Sequence, residues 1–204
     1  AAYERTILPA PTKFDRYVEA VLAGRTPAPA DQFSIEEIAG LRVFISDNQG
    51  QCIRCHNGPM FTDNHFHNIG SQVVGADADE QGRSDGIKSA LADAANCRGA
   101  FSDAPAGLCA ELRFAKRAGA ELAGAFKTPT LRYVVRTAPY MHAGQFQTLE
   151  DAIWQYRDVP PATVGETELT RLPMSDAQFR QIEDFLKTLD GPIRAPEHFL
   201  KPPN

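Results

Sequence analysis

Cys52-Ile53-Arg54-Cys55-His56 is the stretch that decides the reading of this chain. C-x-x-C-H is the attachment pattern of a c-type haem. Two thiols three positions apart can each form a thioether to one porphyrin edge, and the histidine that follows is placed to give an imidazole nitrogen to the iron. C-x-x-C alone is shared with zinc sites and thioredoxin-like redox pairs. The adjacent histidine, with no second C-x-x-C in the sequence, favours haem. Cys52 and Cys55 are therefore read as covalent anchors and His56 as the proximal ligand.

Working outward, Ser34 and Glu37 form a capping box that opens a helix carrying Ile38, Leu41 and Phe44. That helix runs into the motif, which is how most cytochrome c domains present it. Further upstream, Phe14, Tyr17, Val18, Val21 and Leu22 recur at helical spacing before Gly24. Thr26 to Asp31 is a Pro/Ala linker, and Ala1 to Pro11 an arm without strong period. Downstream, Gly58 to about Ala123 is expected to be loop-rich, because Gly, Asp and Asn cluster without a sustained apolar period. Phe126 to Val135 is a short apolar stretch broken by Pro129. Thr148 caps a helix with Leu149, Ala152, Ile153 and Tyr156 on one face. Ser175 and Gln178 cap a last helix that turns Phe179, Ile182, Phe185, Leu186 and Leu189 inward and stops at Gly191-Pro192. Strand is limited to a small hairpin near the haem. The expected fold is all-α: a loop-rich, cytochrome c-like helical domain around one covalently bound haem. Residues 1–31 form an N-terminal arm and linker helix, and 32–204 the haem domain.

The bulk numbers fit this reading. A chain of 204 residues, 43% hydrophobic and 23% charged, is ordinary for one globular domain. A net charge of -5 argues against a nucleic-acid surface and suits a positively charged redox partner or simply a solvated exterior. No apolar run approaches the ~20 residues needed to span a membrane, and no leader opens the chain. Haem attachment of this type takes place outside the cytoplasm, so the expected location is the periplasm, with the chain mature or a piece of something longer. Cys97 and Cys109, in a polar Gly- and Ala-rich segment, point the same way. A disulfide closing such a loop would stabilise it by about 3 kcal/mol and persist only in an oxidising compartment. The other reading, two free buried thiols, is disfavoured by the polar surroundings.

Several segments together resemble one family, the bacterial dihaem cytochrome c peroxidases and their MauG-like relatives. They are Tyr3-Glu4-Arg5-Thr6, Phe14-Asp15-Arg16-Tyr17, Cys52 to His56, Gly58-Pro59-Met60-Phe61-Thr62-Asp63 and Phe66-His67-Asn68-Ile69-Gly70. Ala125-Phe126-Lys127-Thr128-Pro129-Thr130-Leu131-Arg132, Thr137-Ala138-Pro139-Tyr140-Met141-His142-Ala143-Gly144 and Thr148-Leu149-Glu150 complete the set. They cover nearly the whole chain, but only the C-terminal half of a family member, whose N-terminal domain carries its own C-x-x-C-H. A second haem-bearing domain or chain is thus implied unless this is a one-haem descendant. In the family the N-terminal haem meets hydrogen peroxide, while the C-terminal haem feeds or stores electrons. The resemblance implies a periplasmic peroxidase or MauG-like oxidoreductase in which this domain relays electrons. It also implies a periplasmic electron-transfer protein as partner. The competing reading is a one-haem electron carrier without catalysis; a third is a structural subunit whose haem is only a conduit.

The resemblance also suggests the ligand opposite His56. Met60, Met141, Met174, His65, His67, His142 and Tyr156 all qualify by residue type. Ordinary peroxidases place a Met on the helix after the P-Y-x-H-x-G segment, and MauG a Tyr; the matching position here is Tyr156. A phenolate favours ferric over ferrous iron, so Tyr156 would lower the reduction potential. The alternative is a core tyrosine with Met141 or a histidine as ligand. At Met141 the family varies between Phe and Met, which implies packing near the haem. His142 matches a histidine kept near the propionates and the domain interface. Arg54, Lys127 and Arg132 are candidates to pair with propionates, and equally surface charges. The family holds calcium between its haems through backbone carbonyls matching Thr137 and Pro139, which suit a hard cation. One departure stands out: the tryptophan two residues before the second haem motif of MauG is Gly50 here. The only tryptophan, Trp154, has packing as its simplest reading.

Overall fold

The computed structural model describes residues 8–71, 80–159, 161–196 and 199. Tyr3 to Thr6, quoted above for the resemblance, lie outside the described residues. The elements in chain order are β1 (Leu8–Pro9), α1 (Lys13–Leu22), α2 (Ile35–Ile45), β2 (Phe66–His67), α3 (Arg83–Ala92), α4 (Ala110–Phe114), β3 (Phe126–Lys127), α5 (Leu149–Asp158), α6 (Asp176–Lys187) and β4 (Ile193–Arg194). Helix dominates and strand is confined to two antiparallel two-residue pairs, β1 with β4 and β2 with β3.

The helix starts follow local chemistry. Ser34 and Glu37 close a reciprocal capping box at α2, as do Ser175 and Gln178 at α6. Thr148 accepts the Asp151 N–H at the start of α5. Each cap satisfies backbone N–H groups that the first turn leaves without partners. Ser34→Ala is expected to cost about 1 kcal/mol, read as a fall in the urea midpoint with the slope unchanged.

The core lies where α2 crosses α6, with α5 alongside α6. Phe179, Ile182, Phe185, Leu186 and Leu189 are all buried there, as their spacing predicts. Phe44 meets Phe185 with ring centroids 5.1 Å apart. Phe14 of α1 packs edge-on against Phe61 at 5.1 Å and Phe185 at 5.9 Å. The residues assigned above to a linker helix thus contribute to the same core. Val21 and Leu22 do not follow the α1 stripe inward: they are 50% and 83% exposed. The inward face of α1 ends just before them, at Ala20.

α1 is also tied down by charge. Arg132 binds Asp15 through both guanidinium nitrogens, at 2.7 and 2.8 Å, and donates to the Pro59 carbonyl at 2.9 Å. It therefore joins α1 to the loop after the C-x-x-C-H motif. Burial acts to raise the Asp15 carboxyl, but hydrogen bonds from Arg132 and Thr12 outweigh it and the net shift is downward. A carboxyl depressed in the folded state stabilises above its unfolded value, near pH 4. That stability is lost as pH falls through the folded value. Asp15→Asn is expected to cost about 2 kcal/mol at pH 7. Urea unfolding of both proteins should show the gap narrowing toward pH 3; an equal gap at both pH values would remove the charge from the explanation.

Two sequence expectations need correction. The Gly58 to Ala123 region is not only loop: α3 spans ten residues. It was illegible because Ile87 is its one buried residue and Gly82 supplies no side-chain cap, so neither an apolar stripe nor a start signal marks it. The expected hairpin is also not one. Phe66 pairs with Lys127 and His67 with Phe126, partners about sixty positions apart, brought together by tertiary packing rather than by a turn.

Candidate functional site

α2 delivers the motif. The chain leaves α2 at Ser46, and the Gly50 N–H returns to the Val43 carbonyl at 3.1 Å. A Cβ on Gly50 would stand 2.5 Å from that Val43 oxygen and 3.3 Å from Cys52 Sγ. This is why a tryptophan cannot occupy the position here. Cys52–Arg54 then form one tight 3-10 turn, and the His56 N–H bonds the Cys52 carbonyl at 2.8 Å.

Cys52 and Cys55 are unpaired thiols. Burial pushes Cys52 up to about 12 and Cys55 up to about 11. They are neutral at physiological pH, unlike the low-pKa thiolates of redox-active pairs. His56 Nδ1 lies 3.1 Å from the Phe61 carbonyl. A carbonyl can only accept, so Nδ1 donates to Phe61, and the Pro129 carbonyl also faces the ring. Burial lowers the pKa of this imidazole, which keeps it neutral and able to ligate a metal.

Tyr156 lies on α5, one turn beyond the buried Ala152 and Ile153. Burial raises its phenol well above the ordinary value, and Cys52 and Cys55 add to the shift. The phenol is therefore electrostatically close to both thiols. Its hydroxyl makes no hydrogen bond among the described residues. Trp154 on the same helix stacks on Phe179 at 4.9 Å, so packing is its observed role.

The other candidates are spread around this centre. Met141 is half-buried with a positive φ of 66°. Arg54 is exposed. Arg132, a candidate for propionates, is committed to Asp15 and Pro59, and Lys127 to Asn64 at 3.0 Å. Thr137 and Pro139 flank the cis Ala138-Pro139 bond, and their carbonyls accept no hydrogen bond among the described residues. Cys97 and Cys109 are brought together with Cα atoms 5.9 Å apart, in the usual disulfide range.

Three carboxylates escaped the sequence reading. His67 is clamped between Asp63, 2.8 Å from Nε2, and Glu168, 2.7 Å from Nδ1. Burial alone would lower the His67 pKa; the two carboxylates outweigh it and raise it. Cys55, Asp63 and His67 have donor atoms within 4.8 Å of one another, but both His67 nitrogens are already taken by carboxylates. Glu80 Oε1 lies 2.9 Å from His142 Nε2, and the His142 ring stacks on Phe126 at 3.7 Å. Glu80 Oε2 is buried without a partner. No local pattern marks Glu168 or Glu80, which meet their histidines across 101 and 62 residues, whereas Asp63 stands only four positions before His67.

The structure is thus a mostly helical domain that gathers two neutral thiols, an imidazole and the phenol of Tyr156 near a single turn. No family model matches the chain. Its relatives are MauG and cytochrome-c peroxidases. Methylamine utilization protein MauG of Methylophilus methylotrophus is 27% identical over 197 residues, covering 94% of this chain and 45% of that protein. Cytochrome-c peroxidase IdrP1 of Denitromonas iodatirespirans is 27% identical over 202 residues, covering 93% and 48%. Among solved structures, the dihaem peroxidase BthA from Burkholderia thailandensis superposes with a TM-score of 0.54 at 23% identity, over 88% of this chain and 46% of that one. The chain spans about half the length of the relatives it matches.

Proposed function

We propose that this chain is the haem c domain of a periplasmic dihaem peroxidase or MauG-like oxidoreductase. It would relay electrons, or store an oxidising equivalent, for hydrogen peroxide-dependent chemistry at a second haem. The observation that carries the reading is the His56 Nδ1 bond to the Phe61 carbonyl, which orients the imidazole beside two neutral thiols.

The residues present fit haem c. Cys52 and Cys55 would hold it through thioethers formed with its vinyl groups, and His56 and Tyr156 would be its iron ligands. When bound, the haem supplies one-electron redox chemistry between its iron states. The chain does the rest. The Phe61 carbonyl holds the His56 proton and fixes the ring orientation. Arg132 fixes the loop that carries Pro59 and Phe61 against α1. Tyr156 would offer a phenolate oxygen to the haem, an anionic donor that favours the ferric state. Glu80 orients His142 at the face where the second haem is expected. The carbonyls of Thr137 and Pro139 remain candidates for calcium, which suits oxygen donors. The Cys97–Cys109 pair would form a disulfide in the oxidising periplasm.

The test is the number of covalent haems per native particle, from haemochrome absorbance against protein mass on unproteolysed material. Two haems per copy would support the peroxidase reading. One haem per copy would leave no peroxide site, and the electron-carrier reading would replace it.

A further inference from the structure

The segment from Cys97 to Arg117 contrasts with the rest of the molecule. Three of its large apolar side chains stand in solvent: Phe101 is 83% exposed, Leu108 70% and Phe114 77%. None of the core-cluster residues comes from this segment. The pairing of Cys97 with Cys109 closes the loop that bears Phe101 and Leu108, and Phe114 follows at the end of α4. Arg98, Arg113 and Arg117 are all exposed and form no ion pair among the described residues. Arg113 lies over the Phe114 ring at 5.7 Å, and Lys116 is paired with Glu121. Against these cations the segment sets only Asp103 and Glu111, in a chain whose net charge is -5.

A single exposed phenylalanine needs no explanation. Three large apolar tips interleaved with unpaired guanidinium groups along one short stretch, Cys97 to Arg117, do, and neither the core nor the proposed haem site uses them. We propose that this segment seats the protein peripherally on an anionic phospholipid bilayer. Phe101, Leu108 and Phe114 enter the boundary between headgroups and acyl chains, and Arg98, Arg113 and Arg117 contact lipid phosphates. Charge complementarity selects this surface. A fluid headgroup layer also accepts separate protruding side chains, whereas a protein site needs matched, close-packed relief. The acidic remainder of the chain does not forbid it, since carboxylates farther than the ~8 Å Debye length at physiological salt are screened. No described helix is long and apolar enough to cross a membrane, so the contact is peripheral. Nothing in it rests on the haem chemistry proposed above, and the assay reads it separately.

The test is sedimentation of the haem-loaded chain with vesicles of phosphatidylcholine alone or phosphatidylcholine with phosphatidylglycerol, at physiological salt. The wild type should partition to the vesicles that contain phosphatidylglycerol. Phe101→Ser/Leu108→Ser/Phe114→Ser should lower the partition coefficient about tenfold or more. Arg98→Gln/Arg113→Gln/Arg117→Gln should abolish the preference for phosphatidylglycerol. Unchanged circular dichroism and haem spectrum would show that both variants are folded. Failure of the wild type to bind phosphatidylglycerol vesicles, or equal binding by either folded variant, would overturn the proposal and leave the segment to a protein contact.

Discussion

On the proposed function, Tyr156→Phe should raise the reduction potential of the haem that His56 would hold by on the order of 100 mV, a fraction of the ~0.8 V over which axial ligands tune haem iron. The substitution removes one oxygen and keeps the ring. That hydroxyl makes no hydrogen bond among the described residues, so α5 and its packing should be undisturbed. Loss of the proposed anionic ligand would remove the preference for ferric iron and admit cyanide. Tyr156→Met would fill that position with a thioether, which favours ferrous iron, and should also raise the potential without admitting cyanide. Spectroelectrochemical titration and cyanide binding check both. An unchanged potential and spectrum in Tyr156→Phe would sink Tyr156 as ligand and return the assignment to Met141 or a histidine.

Gly40→Ala should destabilise the fold by about 3 kcal/mol, at the upper end of the usual cost of overpacking. Gly40 is buried in α2 where it crosses α6. A Cβ there would press on the Gln181 backbone carbonyl and stand 2.9 Å from Phe185 Cβ. Neither obstacle is a flexible side chain that can swing away, so the helices must separate. Separation would loosen Phe44 and Phe185, which sit against Phe61, and with them the carbonyl that holds His56. Helix propensity alone predicts the opposite sign, since alanine is about 1 kcal/mol better than glycine within a helix. Urea unfolding decides between the two: a stabilised variant would mean that α2 and α6 do not meet this closely.

Much of this was legible in the chain because its causes are local. A capping box is made by residues three apart, so Ser34–Glu37 and Ser175–Gln178 marked α2 and α6 by themselves. The apolar period of α6 named its buried face, and the two thiols and imidazole of C-x-x-C-H lie within five consecutive positions. The same logic failed at the end of α1, where Val21 and Leu22 continue the pattern but stay largely exposed among the described residues, and at α3, which one buried isoleucine anchors.

The sequence by itself therefore determined the helical class, the principal core helices and the thiol–imidazole motif, because adjacent residues carry those signals. Tertiary structure alone decided which distant groups serve that motif. The Arg132–Asp15 pair joins residues 117 positions apart. Glu168 beside His67 and the Glu80 partner of His142 likewise arrive from remote segments. The crowding that fixes glycine at positions 40 and 50 comes from backbone carbonyls of α6 and α2. Hydrogen bonds and steric contacts act over a few ångströms of space whatever the separation along the chain, so no spacing rule could have announced them.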